Sequence, residues 1–471
     1  MPIRIADNRA ARHTVGLTVR RLLGTDGVRG RANIEPVTAE TMLRLAMATA
    51  AEISSGSHRH LVIVGKDTRL SGYTLEPALT AGFVSMGMDV ALAGLVPTPA
   101  VALLTRSMRA DLGVMISASH NQFADNGIKL FGPDGRMLSD ATEQSIERHM
   151  ASVHNVLAMP SACGHTTQLK DAAGRYIEFV KGMLGNRLHL AGLRVVIDCA
   201  HGAAYRIAPT VLYELGADVI PIGIQPDGLN INHECGAMAP ATLCDAVRAN
   251  RADIGIAVDG DADRVIMCDE TGVIMDGDQL LALLATEWHT TGRLRGCGIV
   301  ATVMSNLGLE RYLNSSGLQL FRTPIGERDL LAGMDEHACN MGGEQSGRLI
   351  LGDLATTGDG IASALHVLAS ILRRGCRGSD VARLFSPLPQ LTKSVSVQSE
   401  AVLETRTVGA FIRAARKRLG DNGRILVRKS GTEPAVRVMA EAEDAELVST
   451  IVAEACDAVT HADTGLLLAA R

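Results

Sequence analysis

The stretch VMISASHNQFADNGIKLF (114–131) begins as an apolar run and ends in Ser117, Ser119, His120 and Asn121. Hydroxyls, an imidazole and an amide at the tip of a buried strand are groups that move protons or take up a phosphoryl or acyl unit. They are also the groups that close turns, and for Ser119 the two readings fit this stretch equally well. A serine–histidine hydrolase is disfavoured, because adjacent side chains on a strand point to opposite faces and the chain has no G-x-S-x-G elbow. Lys129 follows in DNGIK. Alone it reads as a solvated cation; beside a metal and a serine it becomes an acid/base candidate.

A second set lies in ADIGIAVDGDADRVIMCDE (252–270), where Asp259, Asp261 and Asp263 stand two residues apart. In an extended segment that spacing turns all three carboxylates to one side. Three such charges repel, and a divalent cation resolves the repulsion; hard oxygen ligands favour Mg²⁺. With Glu270 the set mimics positions 1, 3, 5 and 12 of an EF-hand loop. Arg264 stands where that loop needs glycine, and the approach reads as a strand, so the EF-hand is rejected. A solvated acidic turn is the alternative.

Two further segments offer ligand-binding groups. MGGEQSGRLI (341–350) sets Glu344 and Ser346 between glycines, as a sugar edge requires, although a lone loop glutamate often has no role. VRKSGTEPAVRVM (427–439) gathers Arg428, Ser430, Gly431, Thr432 and Arg437, which suit a phosphate dianion better than a plain polar turn. No G-x-x-x-x-G-K-[ST] motif supports a nucleoside triphosphate.

These groups need a scaffold, and one pattern recurs three times. HLVIVGKD (60–67), LRVVIDCAHG (193–202) and CGIVATVMS (297–305) are apolar runs. Each is followed by a helical stretch (75–86, 203–215, 306–315), a glycine (Gly87, Gly216, Gly317) and a second apolar run. Strand, loop, helix, glycine stop and strand is the rhythm of an α/β domain with both sheet faces covered. The expected architecture is α/β in four domains: three similar α/β/α mixed-sheet domains and a smaller C-terminal α+β domain. The expected limits are 22–168, 169–270, 271–384 and 385–471, after an N-terminal extension, 1–21. That extension carries five arginines and no apolar signal core, so it reads as loosely ordered, although transit peptides share the arginine bias.

The 471 residues carry a net charge of −5, which leaves no footprint for nucleic acid or an anionic membrane. No apolar stretch reaches the roughly 18 residues of a membrane span. Nine scattered cysteines, none in a C-x-x-C pair, read as reduced thiols of a cytoplasmic protein.

In chain order, GTDGVRG (24–30), ISASHN (116–121), DNGIK (125–129), DGDADR (259–264), GGEQSG (342–347), TTGDG (356–360) and RKSGTEP (428–434) resemble the α-D-phosphohexomutase family, from residue 22 to about 460. The resemblance implies four domains around a central cleft and a phosphoserine at Ser119. It implies Mg²⁺ held by Ser119, Asp259, Asp261 and Asp263, and catalytic assistance from Lys129, Arg29 and His120. Glu344, Ser346 and Arg264 would bind the sugar; Arg428, Ser430, Gly431, Thr432 and Arg437 would bind the phosphate that does not react. The implied reaction converts glucosamine 6-phosphate to glucosamine 1-phosphate through a 1,6-bisphosphate, toward UDP-N-acetylglucosamine. A homodimer is open by family likeness alone. Glucose or mannose phosphates as substrates, a metal-dependent phosphatase, and a silent sugar-phosphate binder are the competing expectations. Arg348 stands where the family usually has histidine, Glu327 where it has aspartate, and Leu23 where it has phenylalanine.

Overall fold

The computed structural model describes residues 22–24, 27–56, 58–150, 157–185, 189–429 and 435–469. The expected extension 1–21, Thr25 and Asp26 of the first motif, and Ser430, Gly431 and Thr432 lie outside them.

The threefold rhythm is realised as three covered sheets. In the first, Leu61–Lys66 pairs in parallel with Asp89–Leu95; in the second, Arg194–Asp198 with Asp218–Ile222; in the third, Gly298–Thr302 with Gln319–Thr323. The intervening helices are Gly72–Ser85, Ile207–Glu214 and Leu307–Ser315. The glycines after them, Gly87, Gly216 and Gly317, have φ of +88°, +95° and +76°. A side chain is strained in that left-handed region, so glycine ends the helix and turns the chain back.

The repeat goes further than the apolar pattern reveals. Each sheet continues with a third strand parallel to the first, then an antiparallel return. Leu112–Ile116 returns as Asp125–Phe131, Ile254–Val258 as Val265–Asp269, and Met341–Gly343 as Leu349–Leu351. The three connections are 117–124, 259–264 and 344–348. They carry the serine, the aspartates and the glutamate, so one topological position supplies all three sets.

The inner strands Leu112–Ile116, Ile254–Val258 and Gly298–Thr302 are buried throughout, as sheets covered on both faces demand. Asp218–Ile222 and Gln319–Thr323 lie at sheet edges and are partly exposed, so not every apolar run is an inner strand. One apolar cluster runs through all three units, from Ile63 and Met115 through Ile197 and Val258 to Ile299 and Leu368. Burial of that extent holds the three connecting loops in one place.

The last unit is a three-stranded antiparallel sheet, Gln390–Ser396, Ala435–Ala442 and Gly423–Lys429 in spatial order. The helices Arg406–Leu419 and Ala445–Ala469 share its core, which includes Val438, Ala440 and Ile451. Among the described residues no helix is long and apolar enough to cross a membrane.

Candidate active site

Ser119 sits just beyond the strand Leu112–Ile116 and is fully buried. Its φ of +50° places it in the left-handed region. Such a conformation costs of the order of 1 kcal/mol for a residue with a side chain. Several contacts hold it there. The Ser119 amide donates to Ser117 Oγ (2.8 Å), and Ser117 Oγ donates to Asp67 Oδ2 (2.6 Å). Arg69 and Asn232 each donate to the Ser119 carbonyl at 2.8 Å. Arg69 is itself fixed by Asp67. The result aims Ser119 Oγ at the second unit, where it donates to Asp259 Oδ2 at 2.6 Å and lies 3.4 Å from Asp263 Oδ1.

Two local expectations are corrected by this geometry. Ser119 and His120 do not lie on a strand with opposed side chains: the strand has ended at Ile116, and His120 Nδ1 is 3.5 Å from Ser119 Oγ. The three aspartates do not share one face of an extended segment either. They occupy a tight turn, with Ala262 at φ +55° and its amide bonded to the Asp259 carbonyl. The turn, not strand alternation, brings their carboxylates within 4.8 Å of one another. Gly260 is required there, since a Cβ would lie 2.8 Å from the Ser119 carbonyl oxygen.

All three aspartates are fully buried. Lys129 Nζ donates to Asp261 Oδ2 (2.8 Å) and Asp263 Oδ2 (2.6 Å), and Arg348 donates to Asp263 Oδ2 at 2.9 Å. Thr98 bonds Asp261 Oδ2 at 2.6 Å. Burial alone would push Asp263 up, but Arg348, Lys129 and Arg264 hold it well below the carboxylate range. Burial and the charges of Asp263 and Asp261 push Asp259 well above that range. Burial works against the Lys129 charge, but Asp261 and Asp263 outweigh it and keep the ammonium protonated. His120 is driven down to about 3 by burial and by Arg264 and Arg29, so its imidazole is neutral.

This donor set suits a hard divalent cation. Asp261 Oδ1 is buried without a hydrogen-bond partner among the described residues, and an added positive charge would relieve the repulsion felt by Asp259.

The third unit closes over the turn. The Val265 amide donates to the Gly347 carbonyl, and the Gly360 amide to Ala262. Gly347 (φ +96°) is where a Cβ would strike the Val265 carbonyl at 2.2 Å. Glu344, nearly buried, accepts from Ser346 Oγ at 2.9 Å. Arg264 Nε lies 3.8 Å from Asp263 Oδ1. Arg29 Nη1 reaches the Ala118 carbonyl at 3.5 Å. The two departures at Arg348 and Glu327 face one another: Arg348 Nε is 3.7 Å from Glu327 Oε2, and both side chains are buried.

Ser119, His120, Lys129, Arg29, the aspartates, Arg264, Glu344 and Ser346 thus converge from three units. Arg428 and Arg437 do not join them: among the described residues no hydrogen bond or ion pair links either to that cluster. They stand directly opposite on paired strands of the last unit. Burial and Arg437 push the Arg428 guanidinium down, and the Nε atoms of both are buried without a partner among the described residues. Two cations facing each other across paired strands favour an anion between them. Asp67, Arg69, Thr98 and Asn232 were missed from the sequence. The first two, in GKDTRLSG, are charged residues at the end of an apolar strand, the same signal that singled out Ser119.

Comparison with known proteins places these features in a family. The four phosphoglucomutase/phosphomannomutase family models match in order: α/β/α domain I at residues 20–156, domain II at 174–272, domain III at 276–388 and the C-terminal domain at 389–458. The chain is 58% identical over 452 residues to the phosphoglucosamine mutase of Rhodospirillum centenum, covering 94% of this chain and 96% of that protein. It is 56% identical to the same-named protein of Granulibacter bethesdensis, covering 94% and 97%. Among solved structures, a phosphoglucomutase/phosphomannomutase family protein from Burkholderia thailandensis shares the fold with a TM-score of 0.79 at 22% identity, over 94% of this chain and 98% of that one. The Aspergillus fumigatus N-acetylphosphoglucosamine mutase in complex with GlcNAc-6P and magnesium shares it with a TM-score of 0.66 at 19% identity, over 94% and 96%.

Proposed function

The chain belongs to the phosphoglucomutase/phosphomannomutase family, and from that premise we propose that it interconverts glucosamine 6-phosphate and glucosamine 1-phosphate with Ser119 as the phosphoryl carrier. The observation that carries the reading is the short contact from Ser119 Oγ to Asp259 Oδ2, made between two units inside a buried, charge-dense locus.

Phosphorylated Ser119 gives its phosphoryl group to the free hydroxyl of the sugar phosphate: the P–O(Ser) bond breaks, a P–O(sugar) bond forms, and a 1,6-bisphosphate results. The bisphosphate turns over in the cleft, and Ser119 Oγ attacks the other phosphate: a P–O(Ser) bond forms, that phosphate's P–O(sugar) bond breaks, and the leaving sugar oxygen takes up a proton as the free hydroxyl of the product. On that return step the hydroxyl proton has an acceptor at 2.6 Å in Asp259 Oδ2. Lys129 stabilises charge on the phosphoryl oxygens and assists proton movement beside the serine. Arg29 and Arg264 add positive charge around the serine, and neutral His120 offers a hydrogen bond beside it. Mg²⁺ held by Asp259, Asp261, Asp263 and the serine phosphate would supply further charge neutralisation for the transferring group. Glu344 and Ser346 bind sugar hydroxyls. Arg428 and Arg437, with Ser430, Gly431 and Thr432, bind the distal phosphate.

The same proposal keeps the unit limits 22–168, 169–270, 271–384 and 385–471. Thr166–Gln168 pairs with Asp89–Leu95, which supports a first limit just after it. A cytosolic setting is supported by nine free thiols. A homodimer is included and is checked by light scattering. Turnover of glucosamine, glucose and mannose 6-phosphates, compared as kcat/KM, tests the substrate; glucosamine 6-phosphate ranking last would refute it. Steady phosphate release without isomerisation would instead indicate a phosphatase.

A further inference from the structure

We propose that His58, His60 and Asp111 form a second divalent-metal site, for a borderline ion such as Zn²⁺, Co²⁺ or Ni²⁺, at the starting ends of the two central strands of the first sheet, remote from Ser119. It is independent of the sugar-phosphate reading.

The three side chains bring one ligand atom each within 4.8 Å of one another. His58 Nε2 is 2.8 Å and His60 Nδ1 3.2 Å from the same oxygen, Asp111 Oδ1. A tetrahedral ion with bonds of about 2.0–2.1 Å sets its ligands roughly 3.3 Å apart, so small adjustments admit it. The two rings meet edge to face with centroids 4.2 Å apart.

Two of the three ligands are already fixed. His60 and Asp111 immediately precede the strands Leu61–Lys66 and Leu112–Ile116, which pair in parallel. Asp111 Oδ2 accepts from the Leu61 amide at 2.9 Å, and the Asp111 amide donates to the Leu61 carbonyl. That leaves Oδ1 facing the imidazoles, the arrangement in which outer hydrogen bonds orient a metal ligand. His60 is 9% exposed, and its buried Nδ1 has no hydrogen-bond partner of good geometry; it points into the site. The neighbouring cation Arg59 is tied to Asp89 and does not compete. His58 is 59% exposed, which keeps a coordination position open to water.

Two imidazoles and one carboxylate select a borderline ion over Mg²⁺, so the chemistry differs from that of the aspartate turn. The location differs too. Leu112–Ile116 begins next to Asp111 and ends just before Ser119, and at about 3.3 Å per residue the two sites stand on the order of 20 Å apart. Bound metal would staple His58 to the starting ends of two central strands and raise thermal stability by mass action.

The test uses full-length protein without a polyhistidine tag, stripped by chelator, held in excess Mg²⁺ and titrated with Co²⁺ and then Zn²⁺. One equivalent of Co²⁺ with the intense visible absorption of a four- or five-coordinate site, displaced by Zn²⁺ with a rise in Tm, is expected. H58A and D111N should lose both signals while keeping the circular dichroism of the wild type; the exposure of His58 makes H58A safe for folding. No such absorption in the wild type, or an unchanged signal in H58A and D111N, would overturn the proposal. So would a signal lost only in D261N, because it would put the ion in the aspartate turn.

Discussion

At the scale of single residues, the site is a balance of buried charges. Replacing Ser119 by alanine removes the proposed carrier, and mutase turnover should fall by roughly 10⁴-fold or more with the fold intact, measured as kcat. Arg348 belongs to the same balance. R348A leaves the buried carboxylates of Asp263 and Glu327 short of a cation that now stands 2.9 Å and 3.7 Å away. Breaking such a buried pair costs on the order of 3–5 kcal/mol. A large loss of Tm is expected in R348A, and the double variant R348A/E327Q should recover part of it; an additive loss would contradict the pairing. Residue types made most of this locus legible, because three aspartates two apart, a serine and a lysine are rarely idle together. The geometry was less legible. Strand alternation was the wrong rule for Asp259–Asp263 and for Ser119–His120, since both segments are turns with a left-handed residue, Ala262 or Ser119 itself. No side-chain pattern marks a non-glycine residue in that conformation.

At the scale of elements, the three hairpin connections decide how closely the groups approach. Gly260 lets the aspartate turn pass the serine loop, and an added Cβ would also meet Ile231 Cδ1 at 2.7 Å. G260A should fold and lose about 10²-fold in kcat, the usual scale for a misplacement of about 1 Å. The helix Gly360–Arg374 provides a pH-dependent test. Its cap, Asp359, is raised by burial from 3.8 to about 6, although Tyr176 OH and the Ala362 amide donate to its Oδ1. A carboxyl raised in the folded state binds its proton more tightly there than in the unfolded chain. Its contribution is therefore full below the unfolded value and is lost as pH rises through about 6. D359N, uncharged and still able to cap, should gain little over the wild type near pH 3.5 and up to roughly 3 kcal/mol above pH 7. Urea unfolding at the two pH values reads the difference; a gain independent of pH would contradict it. The first helix of each repeat and the glycine that stops it (Gly87, Gly216, Gly317) were visible in the sequence as periodicity. The third strand was legible before Ser117 and before Asp259, but its antiparallel return was not, because the polar connection breaks the apolar pattern between them.

At the scale of the whole molecule, three units fused by one core present a serine, an aspartate turn and a glutamate loop to each other, and the fourth carries the facing arginines. Four domains and their class follow from the repeated rhythm and the change of pattern after residue 384. The convergence does not, because the contacts from Ser119 to Asp259 and from Lys129 to Asp261 span more than a hundred residues. R437A should raise KM for the sugar phosphate by roughly 10- to 100-fold, the loss of one charge-assisted contact, and leave the phosphate content of the resting enzyme unchanged. An unchanged KM would separate the last unit from substrate binding. The central claim is that Ser119 stores the phosphoryl group. Its most direct test is intact-mass analysis of protein incubated with a hexose 1,6-bisphosphate, followed by peptide mapping and a chase with unlabelled sugar phosphate. The mass of one phosphoryl group on the Ser119 peptide, discharged by the chase and absent in S119A, is predicted; a phosphoryl group on another residue, or full turnover by S119A, would contradict the account.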